Sequence, residues 1–370
     1  MSLQLPPELL RLVVDNFRLP PFSTPRRTLD LEEETRSTLS TLSLTSRSFR
    51  EIAQPLLFDF IRIPNFETLF CLVGNNARNG RLLFTRSILY EGKPVDEQEE
   101  WEEWEQREEE ESLRLFRELS TCADRVEELI VYNTFYRVQS IFSLKRLFLS
   151  SLKLDAVPTM PHLEILGLYN VYMDSASQVA QSFASVRHLT FDSGGREIPE
   201  DQALFLTCLA SQLDTIELLS DVYPNVLSKV PSLPVASILV TSPWNWWPLF
   251  RSNISSMVNI RLNVSDIYED TTPVSTCSEW ISELATQLCQ RGPLETLYLP
   301  PIDSLPSAYG TESIISSLQQ LSLKLQERNI EVVYEEQSDQ IEGERQISEE
   351  FMRRMTRKRI EREAKLSKEE

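Results

Sequence analysis

Leu163-Glu164-Ile165-Leu166-Gly167-Leu168-Tyr169 sets out an apolar residue, two residues, a second apolar residue, one residue and a third apolar residue. The same spacing recurs as Val126-Leu129-Val131, Leu144-Leu147-Leu149, Val186-Leu189-Phe191, Leu213-Ile216-Leu218, Val235-Ile238-Val240, Met257-Ile260-Leu262 and Leu294-Leu297-Leu299. Successive starts are 18, 19, 23, 27, 22, 22 and 37 residues apart. Apolar positions two apart are the period of a strand that buries one face. A unit this short cannot bury that face alone, so the copies must stack on one another.

Helix signals lie between the copies. Residues 175–185 carry Ser175 and Gln178 as a capping box, and residues 203–213 continue the alternation. Residues 278–290 follow the pair Thr276 and Glu279 and are closed by Gly292 and Pro293. Leu318-Leu321-Leu323 imitates the repeat, but residues 314–325 have helical spacing, and residues 330–334 read as a closing edge strand. The predicted fold is α/β, with a curved parallel sheet inside and helices outside.

The amino-terminal sixty residues have a different pattern. Leu9, Leu10, Val13, Val14 and Phe17 are spaced for a short amphipathic helix opened by Pro6 and Pro7. Pro20, Pro21 and Pro25 break it, and a polar stretch to Thr35 leads into a second run with Leu39, Leu42 and Leu44. A third helix, 46–54, is expected to stop at Pro55. Three helices of this size make a small core, which gains by covering its leftover apolar face with a partner.

Leu5-Pro6-Pro7-Glu8-Leu9-Leu10, the run Leu39-Ser40-Thr41-Leu42-Ser43-Leu44-Thr45-Ser46-Arg47-Ser48-Phe49, and Pro55-Leu56-Leu57-Phe58 together resemble an F-box, particularly the fungal kind. The later pattern resembles the leucine-rich repeat family in an irregular form. That resemblance implies a small all-helical F-box module (1–60), then a linker region with helices and an acidic insertion at 96–111 (61–125). An irregular leucine-rich-repeat solenoid (126–335) and a charged tail (336–370) would follow. It also implies a substrate-recognition adaptor of an SCF-type cullin ubiquitin ligase. Leu5, Pro6, Leu9, Leu10, Val13, Val14, Leu39, Leu42, Leu44 and Phe49 would then form or support the surface that meets the Skp-type adaptor. Residues 18–35 insert a polar loop, and Ser46 and Phe49 stand where the family usually has Cys and Trp. The family's Asn or Cys position at the repeat turn holds Thr134, Leu152, Val171 and Ser265. The alternative is a non-catalytic repeat scaffold outside any ligase, with the amino-terminal helices as a cap.

A stacked sheet offers an extended surface suited to a protein target. Arg146, Phe148, Tyr169, Asp192, Glu217, Arg261, Asn263 and Tyr298 alternate with the core positions. Phe148, Tyr169 and Tyr298 are the candidate target contacts, together with Trp244, Trp246 and Trp247 in the loop after the sixth copy, although rings there also serve as core filler.

Composition argues against other classes. With 37 Lys and Arg against 56 Asp and Glu, the net charge is −19, which opposes general nucleic-acid binding. Five scattered cysteines form no metal or disulfide pattern and are expected to be reduced and mostly buried. Residues 96–111 hold eleven carboxylates and read as a solvated insertion rather than acid–base catalysts. Arg353, Arg354, Arg357, Lys358, Arg359 and Arg362 form a basic segment, read as a solvated helix or a nuclear-import address. His162 and His188 are expected to be structural, and no nucleotide-binding or hydrolase glycine motif occurs. No enzyme activity, cofactor, metal or membrane contact is expected. The amino end carries no signal-peptide pattern, so a cytoplasmic or nuclear protein is expected.

Overall fold

A computed structural model of the chain describes residues 9–11, 14, 25–79, 81–91, 114–132, 143–154, 157–173, 175–192, 200–218, 237–240, 259–262, 279, 281–282, 285–286, 288–289, 294–299, 311–334, 354–361 and 364. The chain divides into two compact units, Met1–Leu163 and Glu164–Glu370, and is mixed α/β in both.

In the first unit residues 9–11 and 14 are helical, and helices α1 (Pro25–Thr45) and α2 (Arg47–Leu57) follow. Residues 25–35 were expected to be loop and are helical. Pro25 stands at the first helical position, where its missing N–H has no intrahelical partner to lose. Ser46 caps α2 from an extended backbone, its hydroxyl accepting from the Phe49 N–H at 3.2 Å. Pro55 does not stop α2, which continues to Leu57. So near the end a proline removes a single intrahelical bond, and Leu56 and Leu57 pack on a core of Val14, Leu39 and Ala53 in return.

Four parallel strands follow in this unit, paired in order: β1 (Phe60–Ile63), β2 (Ser87–Glu91), β3 (Glu128–Tyr132) and β4 (Arg146–Ser150). The sheet therefore starts at Phe60, the last residue of the expected helical module, and runs on into the stretch expected to be linker. Phe58-Ile61-Ile63 has the repeat spacing, and Thr85-Ile88-Tyr90 has it with a buried threonine in the first place. The carbonyl just before each strand receives two donors from the next unit of chain. Asp59 accepts from Arg86 and Ser87 at 2.8 and 3.0 Å, and Arg86 from Glu127 and Glu128 at 2.9 and 3.1 Å. Glu127 likewise accepts from Lys145 and Arg146 at 2.8 and 3.0 Å. The side chains there alternate in sign, and Arg86 pairs with Asp59 at 2.6 and 2.9 Å while Lys145 meets Glu127 at 2.8 Å. Exposed pairs of this kind contribute at most about 1 kcal/mol each, so they align the stack more than they stabilise it.

The second unit holds a parallel sheet of seven strands: β5 (Ile165–Tyr169), β6 (His188–Asp192), β7 (Thr215–Leu218), β8 (Ser237–Val240), β9 (Asn259–Leu262), β10 (Thr296–Leu299) and β11 (Glu331–Tyr334). Each of the eight sequence copies thus contains a strand. Helices α3 (Ala176–Ser182), α4 (Glu200–Ala210) and α5 (Thr311–Gln326) lie between strands in the chain. Ser175 caps α3 by position only. Its side chain makes no cap hydrogen bond, so the expected capping box does not form; the Gln178 N–H goes to the Ser175 carbonyl instead, at 3.0 Å. Helix α4 starts three residues before the expected 203, with Glu200 and Asp201 in its first turn, where carboxylates suit the positive helix end. Leu318, Leu321 and Leu325 are buried along α5, and Leu323 is exposed, as helical rather than strand spacing requires. Leu152 and Val171, each eight residues past the start of its copy, are buried in apolar packing.

The cysteines correct one expectation. Cys71 and Cys208 are exposed because they ride the solvent sides of their helices, Cys122 and Cys289 are partly exposed, and these four described cysteines are free thiols.

Candidate functional site

Two surfaces contain the residues singled out by sequence. The first is the amino-terminal helical group. Leu10, Val14 and Leu39 are buried; Leu42 and Phe49 are partly buried against Val14, Leu39 and Ala53. Leu9 is 47% exposed and Leu44 75% exposed. The expected partner surface therefore separates into residues that hold the helices together and two leucines that face outward. Leu5, Pro6 and Val13 lie outside the described residues.

The second surface is one face of the seven-stranded sheet. Register aligns His188, Thr215, Asn259, Thr296 and Glu331 in one row, and Thr190, Glu217 and Tyr298 in the next. These residues alternate with the apolar Leu189, Phe191, Ile216, Leu297 and Leu299, so they stand on the opposite side of the pleat. Bonds run across the strands here. His188 Nδ1 is 2.9 Å from Thr215 Oγ1, Thr190 donates to Glu217 at 3.1 Å, and Thr296 donates to Glu331 at 3.3 Å.

A sheet face of this composition would ordinarily stand in water, yet His188, Thr190, Thr215, Glu217, Asn259, Thr296 and Tyr298 are all buried. Residues 354–361 are helical and supply contacts that account for part of that burial. The Thr356 hydroxyl donates to Asp214 at 3.0 Å and lies 3.4 Å from His188 Nε2. Arg359 forms an ion pair with Asp214, whose side chain is fully buried. Lys358 donates to Thr296 at 3.0 Å, lies 3.8 Å from Glu331, and stands 5.3 Å over the Tyr298 ring. Met355 is buried, whereas Arg357, Ile360 and Glu361 point outward. Inward residues at 355, 356, 358 and 359 trace one side of a helix. Residues 354–361 were expected to form a solvated helix and are packed along one side. Arg359 answers a buried carboxylate, Asp214, that, left alone, would cost roughly 3–5 kcal/mol.

The candidate target contacts are distributed differently from expectation. Tyr298 is 1% exposed beneath Lys358, Phe148 is buried on β4, and Tyr169 is partly buried on β5. Trp244, Trp246, Trp247, Asn263 and residues 96–111 lie outside the described residues. Sequence reasoning missed Asp214, Thr296 and Glu331. Asp214 could have been found from the alternating charges just before the strands, which continue in this unit as Glu164, Arg187 and Asp214.

Electrostatics follow from this burial. Thr356 gives its one hydroxyl proton to Asp214, which leaves its oxygen to accept from His188 Nε2–H and leaves Nδ1 to accept from Thr215. Burial, then the charges of Arg359 and Arg187, holds the imidazole down to about 4. Burial pushes the Asp214 carboxyl up, opposed by the Thr356 hydrogen bond and by Arg359 and Arg187. As pH falls from neutrality, the unfolded chain takes up the histidine proton first, near its ordinary 6.5. The stabilisation from His188 is therefore complete above that value and is lost as pH falls through about 4. Asp214 acts in the opposite sense, since a raised carboxyl favours the folded chain at low pH. Replacing His188 by Gln isolates the histidine: wild type is expected to lose about 2 kcal/mol more than His188→Gln between pH 7 and pH 5 in urea denaturation. Parallel pH curves for the two proteins would exclude a neutral, buried imidazole.

No group of His, Cys, Asp and Glu among the described residues could hold a metal ion, and no described helix is long and apolar enough to cross a membrane. No family model matches the chain, and no curated protein matches it either.

Proposed function

We propose that this chain is a substrate-recognition adaptor of an SCF-type cullin ubiquitin ligase, built as an F-box module followed by an irregular leucine-rich-repeat solenoid. Its work is bivalent tethering. The amino-terminal helices hold the Skp-type adaptor and the repeats hold a target protein, so that catalysis belongs to the partners and this chain contributes proximity.

The observation that carries the reading is the division among the F-box-like leucines. Leu10, Val14 and Leu39 close a small core, while Leu9 and Leu44 remain exposed at positions that the resemblance assigns to the adaptor. An exposed leucine that becomes buried in a partner contributes roughly 1.5–3 kcal/mol. The parallel strands and their periodic spacing support the repeat half, which would present an extended surface rather than a deep cavity.

The test is co-purification of the full chain with the Skp-type adaptor. Wild type is expected to retain the adaptor, Leu9→Asp to lose it, and Leu44→Asp to weaken it at least tenfold, all with unchanged unfolding curves because neither side chain sits in the core. Adaptor retention by Leu9→Asp at the wild-type level would sink the assignment. Failure of wild type to bind would favour the free repeat scaffold.

A further inference from the structure

We propose that the polar sheet face of residues 188–334 is a receptor for a basic amphipathic helix, that residues 354–361 are its resident ligand, and that the target displaces them with a helix of the same chemistry. This rests on the proposed adaptor role only in identifying the displacing helix with a ligase target. The receptor itself stands on the contacts of residues 354–361 with the sheet face.

The face and the segment are complementary group by group. The face offers the carboxylates of Asp214 and Glu331, the hydroxyl of Thr296, the imidazole of His188 and the ring of Tyr298. The segment answers with an apolar anchor (Met355), a hydroxyl that donates to Asp214 (Thr356), a lysine that meets a hydroxyl, a carboxylate and an aromatic ring at once (Lys358), and an arginine on the buried carboxylate (Arg359). The positions between and beyond, Arg357, Ile360 and Glu361, face outward and are free to vary. A ligand that fits therefore presents Met or another flexible apolar residue, then Thr or Ser, one unconstrained residue, Lys and Arg on a single helical side. Such a segment is a common form of protein recognition, in which a helix laid on a surface is read through residues three and four apart.

Exchange follows from the covalent arrangement. Residues 335–353 are nineteen in number and join the last strand to the segment, so the segment competes with an effective concentration on the order of millimolar. A free helix with the same contacts therefore binds wild type weakly, and binds strongly only when the resident segment is weakened. The contact is mostly between charges and hydroxyls, with one buried methionine, which suits an exchangeable ligand better than a permanent core element.

The test uses a fluorescein-labelled synthetic peptide with the sequence of residues 350–366 and fluorescence anisotropy on full-length protein. The double variant Lys358→Glu/Arg359→Glu, altered on the tail alone, is expected to bind the peptide at least tenfold more tightly than wild type. A peptide carrying Glu at both positions is expected to bind neither protein. Adding Asp214→Asn to the double variant is expected to weaken the peptide at least tenfold. Equal affinity of wild type and double variant for the basic peptide, including no binding to either, overturns the proposal, as does equal binding of the two peptides. Adaptor co-purification on the same proteins separates the two readings. Retained adaptor without peptide exchange overturns this inference alone, and peptide exchange without any adaptor binding overturns the ligase role alone.

Discussion

Phe183→Ala is expected to lower the unfolding free energy of the chain by about 3–5 kcal/mol. The ring is fully buried and meets Phe205 edge-on, with centroids 6.3 Å apart and planes at 89°. Such a pair contributes about 0.5–1.5 kcal/mol beyond the area that it buries. The backbone around Phe183 is tied as well, since its carbonyl accepts from the Gln212 side chain at 2.8 Å and from the Val186 N–H at 3.0 Å. Those ties keep the site from collapsing around the missing ring, so the upper part of the range applies. Against a typical total of about 5–15 kcal/mol, one truncation removes a large share of the stability. Urea denaturation measures it, with Leu204→Ala as the control, because Leu204 is exposed on the same stretch as Phe205 and should cost under about 0.5 kcal/mol. A loss from Phe183→Ala no greater than that of the control would mean that the ring is not part of the core.

The second large effect is a contrast. Leu39→Asp is expected to unfold the amino-terminal helical pair, whereas Leu9→Asp is expected to leave it intact and, under the proposed ligase role, to lose the adaptor alone. Leu39 is 2% exposed within the small cluster of Val14 and Ala53, flanked by Leu42, Phe49, Ile52, Leu56 and Leu57. A carboxylate there has no cation in that cluster to pair with, and it also forfeits the transfer of the leucine, so the combined cost is roughly 4 kcal/mol or more. A core of this size has little to spare. Hydrogen exchange of the amides of Arg47–Leu57 reads the difference. Protection should collapse in Leu39→Asp and persist in Leu9→Asp. If both variants kept their protection, Leu39 would not be holding α1 against α2; if both lost it, adaptor binding could not be tested through Leu9.

The strands were legible because their signal is local. Each copy needs only three apolar residues at fixed spacing, and all eight copies hold a strand. Of the further strands among the described residues, the parallel strands β1 and β2 were missed for a physical reason. At β2 a buried threonine, Thr85, takes the first apolar place, and at β1 the spacing starts at Phe58, directly behind helix α2. Pro55 misled for a related reason: a local rule about proline was outweighed by the packing of Leu56 and Leu57. The tail was the largest departure. Its alternating charges read as a solvated helix, and nothing within it indicates that Arg359 meets Asp214 or that Lys358 covers Tyr298.

By itself, then, the sequence determined where the eight repeat strands and the closing strand run, which of their side chains share a face, and which amino-terminal positions are apolar. Periodicity of two or of about three and a half residues is written in neighbouring positions and survives any arrangement of the rest. Only the tertiary structure decided that the polar face is covered, that its histidine is neutral, and that Leu9 and Leu44 face outward while Leu39 does not. Those outcomes depend on partners far apart in the chain. A charge or hydroxyl is buried only when its complement arrives, and that complement, in residues 354–361, lies well over a hundred residues from Asp214 and His188.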